Sequence, residues 1–234
     1  MEIDITYDMR KDSNGNDPDG FSKTLKMYNK YLWSKKLPNE KEFNLTDNVE
    51  GVYLYHKSEL GEYHLSSDAF IQTYSTWQRT EDLIKQIPKN ELEYFDYISY
   101  TIGGIILYPS NMINGMNTMN QERGKNYHIN DRMDLTLECI RRYYNNEDSP
   151  LFQTIKRYDD FFKLFTNFKG YCDYFLLQDL VIENYSKVNF FLKPFIGFTY
   201  NILPKNTAEY YEYKENSINF VNKRNNRILE YCRS

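Results

Sequence analysis

Cysteine is scarce and scattered: Cys139, Cys172 and Cys232 are an odd number in 234 residues and form no CxxC pair. That argues against a disulfide framework and a structural zinc site, and predicts three free thiols. No apolar run approaches the roughly 20 residues that a bilayer-spanning helix needs. The opening MEIDITYDMRKD also lacks the basic-then-apolar order of a secretory leader. The expectation is a cytoplasmic protein with no membrane partner. A net charge of −4, with both signs mixed along the chain, gives no general basic field for sequence-independent nucleic-acid binding. Neither a GxxxxGK[ST] loop, a GxGxxG turn nor a GxSxG elbow is present, so no cofactor is implied and its identity stays unknown. Asp12, Asn14 and Asn16 have the spacing of a calcium loop, but Asp17 stands where that loop needs Gly and Lys23 where it needs Glu. No metal ligand is assigned.

Aromatic residues are abundant instead, with 23 Tyr and 15 Phe. Buried phenol hydroxyls must then find hydrogen-bond partners, so polar groups are expected inside the core. The length suits one large domain, 1–234, with no repeat or Gly/Ser-rich linker to divide it.

The periodicities predict an α+β fold, predominantly helical, with a small mixed sheet. Residues 2–7 alternate like an edge strand, and 22–33 recur at helical spacing. A hairpin is expected from 52–55 and 62–65, followed by a helix over 68–78 capped by Ser66 or Ser67. Asn90 and Glu93 mark the start of another helix. TIGGIILY, 101–108, reads as the most buried strand. From 109 to 130 neither period appears, although a hairpin turn fits Asn114-Gly115, and so long a connection asks for a purpose. Helices are then predicted over 131–144, 151–165, 170–181 and 206–231, with a buried strand at 188–192. His56 and His64 lie near the hairpin without carboxylate or cysteine at ligand spacing, and are read as strand histidines.

The densest chemistry lies in NQERGKNYHINDRMDLTLECIRRYY, residues 120–144. Arg123, Lys125 and Arg132 stand near a predicted helix start, where free N–H groups and the dipole favour an anion, so a phosphate-containing ligand is the expected partner. Asp134 and Glu138 follow one turn apart and are the candidate bases. The same Glu138 stands three and four residues before Arg141 and Arg142, which equally fits a plain ion-pair ladder. Asp173 and Asp179 fall in the apolar segment 170–181, where a carboxylate needs a cation, and an arginine from 120–144 is the natural partner for Asp173 at such a site.

The phrases NDPDGFSKTLKMYNKYLWSKKLP, LSSDAF, YTIGGIILYP, NQERG, INDRMDLTLECIRRYY and FKGYCDYFLLQDLV resemble an uncharacterised bacterial protein family of unknown function. The likeness spans most of the chain and implies a bacterial or phage source, but no activity or catalytic residue.

Two functions are therefore compared. One is a protein that binds or processes an anionic, nucleotide-like or nucleic-acid ligand in a cleft under 109–130. The other is a non-catalytic module with a protein partner, in phage defence or counter-defence, using exposed aromatics and the DPD loop at Asp17. A third reading, ADP-ribosyl transfer, rests on short strands carrying His56 and Ser67.

Overall fold

A computed structural model describes residues 1–200 and 202–233. The N-terminus turns where an edge strand was expected. Asp4 accepts from the Thr6 N–H at 2.8 Å and its hydroxyl at 2.6 Å, and this local bonding competes with pairing to a sheet. Asp17 then caps α1 (Pro18–Phe21), with Pro18 in the first helical position, where its missing N–H costs nothing. Ser22 caps α2 (Lys23–Trp33), which buries Leu25, Tyr28, Leu32 and Trp33 on one face. The small hairpin β1 (Lys35–Lys36) and β2 (Glu42–Phe43) follows.

The main sheet is antiparallel throughout, in the order β3 (Thr46–Asp47), β4 (Leu54–Ser58), β5 (Gly61–Ala69) and β6 (Ile105–Pro109). Strand β5 continues through Ser66 and Ser67, where the sequence suggested helix caps. The override is tertiary: Ser67 pairs with Leu107 and Asp68 with Ile106, and Tyr63, Leu65 and Ser67 alternate inward. Residues 70–77 are loop. Beyond α3 (Glu81–Ile84), α4 (Lys89–Ser99) starts directly after Pro88, so Asn90 lies inside its first turn and makes no cap. All five residues of β6 are buried.

Segment 109–130 holds a hidden helix, α5 (Met119–Lys125). Asn114 and Gly115 take the left-handed φ values expected of them, 54° and 70°, but no strands flank that turn. Next come α6 (Met133–Tyr144), α7 (Phe152–Arg157) and α8 (Asp159–Lys163), the last two separated at Tyr158, so 151–165 is not one helix. Likewise α9 (Phe168–Tyr174) stops well short of 181; Leu176 turns to φ 56° and the chain enters β7 (Val181–Ile182), paired with β8 (Lys187–Val188). These pieces are apolar all round because they sit inside an aromatic cluster, with Phe165 within 5.0–5.3 Å of the rings of Tyr171, Tyr174 and Phe175. Phe162, Phe165, Phe175 and Ile105 are all buried.

The long α10 (Thr207–Arg233) packs across Ile102–Gly104 and α4. Gly103 permits this approach, since a Cβ there would fall 2.7 Å from the Val221 carbonyl, and its N–H donates to Asn225 Oδ1 at 2.7 Å. The fold is α+β around one core, the three cysteines are free, and no helix among the described residues is long and apolar enough to cross a membrane.

Candidate functional site

Arg123 lies in the last turn of α5 and is fully buried. Its Nη1 is bonded to Asp68 of β5, and its Nε donates to Thr136 Oγ1 at 3.0 Å. On the other side, Nη2 lies 3.2 Å from Asp131 Oδ1 and donates to the Asp131 carbonyl at 3.3 Å. Asn130 and Asp131 present that carboxylate from two successive left-handed residues, φ 46° and 61°, a conformation Asn and Asp tolerate best among side-chain-bearing residues. Burial opposes charge on Arg123, but Asp131 and Asp68 outweigh it and hold the guanidinium above its usual range.

Outside Asp68 opens a cleft of about 400 Å³. One wall is α1, with Asp17, Asp19 and Phe21; the opposite wall is the 109–130 segment, with Ser110, Met112, Asn120 and Gln121; Ser66 and Asp68 form the floor. Among the described residues that line it, none is basic. Asn120 donates to Ser66 Oγ at 3.0 Å and to the Ser67 carbonyl at 3.2 Å, which turns its buried Oδ1 away without a partner. Burial pushes the Asp68 carboxyl up to about 8, against the pull of Arg123 and with help from Asp131 and Asp17. Asp19 is raised well above the usual carboxylate range by burial, then by Asp68 and Asp17. Like charges in one cleft thus hold protons that isolated aspartates would release.

The other sequence candidates do not meet here. Arg132 and Asp134 form a second buried pair: Nε donates to Oδ1 at 3.0 Å, Nη2 bonds Oδ2, and Asp134 also accepts the Phe191 N–H at 2.8 Å. Thr136, which accepts from Arg123, donates to the Arg132 carbonyl at 2.8 Å, so the two networks share one helix turn. Lys125 reaches outward to Asn117 Oδ1 at 2.8 Å. Glu138 is nearly buried and receives both Arg141 and Arg142 beside a separate cavity of about 440 Å³. Asp173 pairs with Lys169 and accepts from Tyr185 and Gln178, while Asp179 pairs with Arg227; no arginine from 120–144 reaches either. The short pieces replacing the expected helix bring both aspartates towards solvent, where nearer cations answer them. His56 is buried, stacked on Phe43 at 4.1 Å and bonded to the Asn44 carbonyl and Ser58, a structural position.

Asp68 was not singled out in the sequence, Asn120 entered only as the first residue of 120–144, and Asp17 and Asp19 only as the DPD loop. Two signals could have found their elements. Asp-Pro is a cap followed by a favoured first residue, and Thr118 with Gln121 is a capping box, closed here at 3.4 and 3.1 Å. Asp68 was hidden by the mistaken helix. Among the described residues no group of three or more His, Cys, Asp or Glu is placed to hold a metal ion.

No curated protein and no solved structure matches the chain. Residues 3–228 match the model described as a family of unknown function (DUF6994), and the chain belongs to that family.

Proposed function

We propose that this protein binds a small cationic ligand rich in N–H donors, an amine or guanidinium compound, in the cleft between α1 and the 109–130 segment. The observation that carries the reading is the imbalance of the cleft: three aspartates line it, and no lining side chain supplies a positive charge. Arg123, the cation that would have attracted a phosphate, lies behind the floor with Asp68 and Asp131 already against it. The chemistry therefore favours a ligand of the opposite sign. Such a ligand would displace the protons that burial and mutual repulsion retain on Asp19 and Asp68. Binding would strengthen as pH rises from 6 to about 8, because protons and ligand compete for the same carboxylates.

The test is thermal stabilisation by spermidine, agmatine and arginine beside a panel of phosphate esters and nucleotides. Ligand at about 100 times its dissociation constant adds roughly 2.7 kcal/mol. Asp19→Asn should abolish the gain while leaving the unliganded fold intact, since Asp19 forms no ion pair among the described residues. Stabilisation by phosphate esters and none by amines would restore the anionic ligand.

A second reading draws on the mouth of the cleft, where Phe21, Val52 and Met112 are exposed beside the aspartates. A protein partner presenting a basic side chain would cover both features, as a module in phage defence or counter-defence would require. Binding of lysine-containing apolar peptides, with no response to the free amines, would favour it.

A further inference from the structure

Lys35 opens β1, and its side chain turns into the aromatic cluster instead of towards a carboxylate. Its Nζ donates to the Tyr174 carbonyl at 2.7 Å. The ring centroids of Trp33, Tyr174 and Tyr231 stand 4.8, 4.6 and 4.5 Å from it. Among the described residues no carboxylate lies within ion-pair distance of this amine. The charge that acts on it is another cation, the buried Arg224, whose guanidinium carbon is 5.6 Å from the same Trp33 ring. Lys35 nevertheless reaches a cavity of about 510 Å³, shared with Asn167, Gly170 and Tyr174. The other charged groups of that cavity are already paired, Lys36 with Glu40 at 3.5 Å and Lys169 with Asp173.

We propose that Lys35 is a covalent site for carbonyl compounds, at which a small aldehyde or ketone entering this cavity forms an imine with the ε-amine. A half-buried lysine held beside a second cation, without a counter-ion, is the arrangement that frees an amine to act as a nucleophile. Burial first, and then Arg224, lowers its pKa to about 7. The three ring faces and the Tyr174 carbonyl favour the ammonium and oppose this. The balance need not be complete to matter. An ordinary lysine is free amine in only about one part in a thousand at pH 7.4, and each unit of lowering multiplies that fraction about tenfold. In the reaction the nitrogen lone pair adds to the carbonyl carbon and the C=O π pair moves to oxygen, which takes a proton. The carbinolamine then loses water to give C=N, and the amine proton passes to solvent. Amine and carbonyl become imine and water, with no redox change.

The probe is acetaldehyde with cyanoborohydride, applied to the folded full chain and read by peptide mass mapping. Lys35 should be alkylated at least tenfold faster than the median of the other lysines at pH 7.4. Its rate should level off above pH 8, while the others keep rising. Lys35→Arg, which retains a cation between the rings, should keep the melting temperature and lose only the fast label. Labelling of Lys35 at or below the median, or a rate that climbs through pH 9 in parallel with the rest, overturns the proposal.

Discussion

Arg123 and Arg224 are both fully buried, yet the fold answers their charges in opposite ways. Arg123 meets two carboxylates, Asp68 and Asp131. Arg224 meets none among the described residues. It donates to the carbonyls of Phe175 at 3.1 Å, Ile102 at 3.4 Å, Gly103 at 3.0 Å and Ile105 at 2.7 Å, and lies over the rings of Trp33 and Phe70. Those carbonyls stand at the end of α9 and around the turn leading into β6, where an element's last backbone acceptors run short of donors; only the Ile102 carbonyl also receives a local one, the Ile105 N–H. Arg224 thus caps two chain segments from a distant helix. The electrostatic results diverge accordingly. Carboxylates raise the Arg123 guanidinium, whereas burial without one lowers Arg224 to about 9, still charged at neutral pH. At equal burial, the formal charge of the partner decides the direction.

The sharpest way to break this comparison is to remove each cation in turn. Arg224→Met takes a donor from the carbonyls of Phe175, Gly103 and Ile105, the Ile102 carbonyl keeping the Ile105 N–H, and at about 1–3 kcal/mol for each orphaned group the loss should reach about 3 kcal/mol or more. Arg123→Met leaves the half-buried carboxyls of Asp68 and Asp131 without their cation, which costs about 3 kcal/mol, at the low end of the range for a broken buried pair because both are partly exposed. Urea denaturation at pH 7 and again at pH 4.5 distinguishes the two. The Arg123 penalty should shrink in acid as Asp131 takes up a proton, Asp68 already holding its own at pH 7, and the Arg224 penalty should stay constant. Penalties that move together with pH would show that the two sites are answered alike.

The contrast also marks how far the sequence could be read. The helical stripes of α2, α6 and α10, and the buried run of β6, follow from local periodicity and appear near their expected positions. The partner of Arg123 does not, because Asp68, 55 residues upstream of the arginine, lies in the second half of β5, which is held as strand by pairing with β6. In sequence Arg224 stands in KRNNR beside Lys223 and Arg227, and nothing within α10 marks it as the one that turns inward. Its acceptors are main-chain atoms more than a hundred residues away for β6 and 49 away for Phe175. Periodicity reports which face is apolar. It carries no information on which backbone oxygens elsewhere lack a donor.

A smaller effect sharpens the carboxylate side of the comparison. The folded-state pKa of Asp68 lies above its unfolded value, at about 8, so its contribution to stability is fully present below about pH 4 and is lost as pH rises through 8. The wild-type protein should therefore lose on the order of 2 kcal/mol between pH 5 and pH 8 from this group, an amount reduced by its partial exposure to solvent. Asp68→Asn removes the titrating proton and leaves Asp131 beside Arg123. Chemical denaturation across that window should give a flatter profile for the variant. An unchanged slope would mean that Asp68 is ionised throughout and that the charge of Arg123 controls it.

The smallest effect comes from the inverse arrangement on α6, where one carboxylate serves two cations. Glu138 accepts from Arg141 Nε at 2.8 Å and Nη2 at 2.9 Å, and from Arg142 Nε at 2.8 Å. Its side chain is only 6% exposed, while those of the arginines are 15% and 29% exposed. Either arginine alone still neutralises the carboxylate, and each partly solvated cation loses little by release. Arg141→Ala and Arg142→Ala should thus each cost under about 1 kcal/mol, in the range of ordinary exposed pairs. Removing both strands a nearly buried carboxylate, so the double variant should lose about 3 kcal/mol, well beyond the sum. A double-mutant cycle by urea denaturation at pH 7 measures the excess. Additive losses would show that water already reaches Glu138 and that the pair is a surface ladder. A coupling of 1 kcal/mol or more would place Glu138 with Asp68 and Asp134 among the carboxylates whose charge the fold must answer from within.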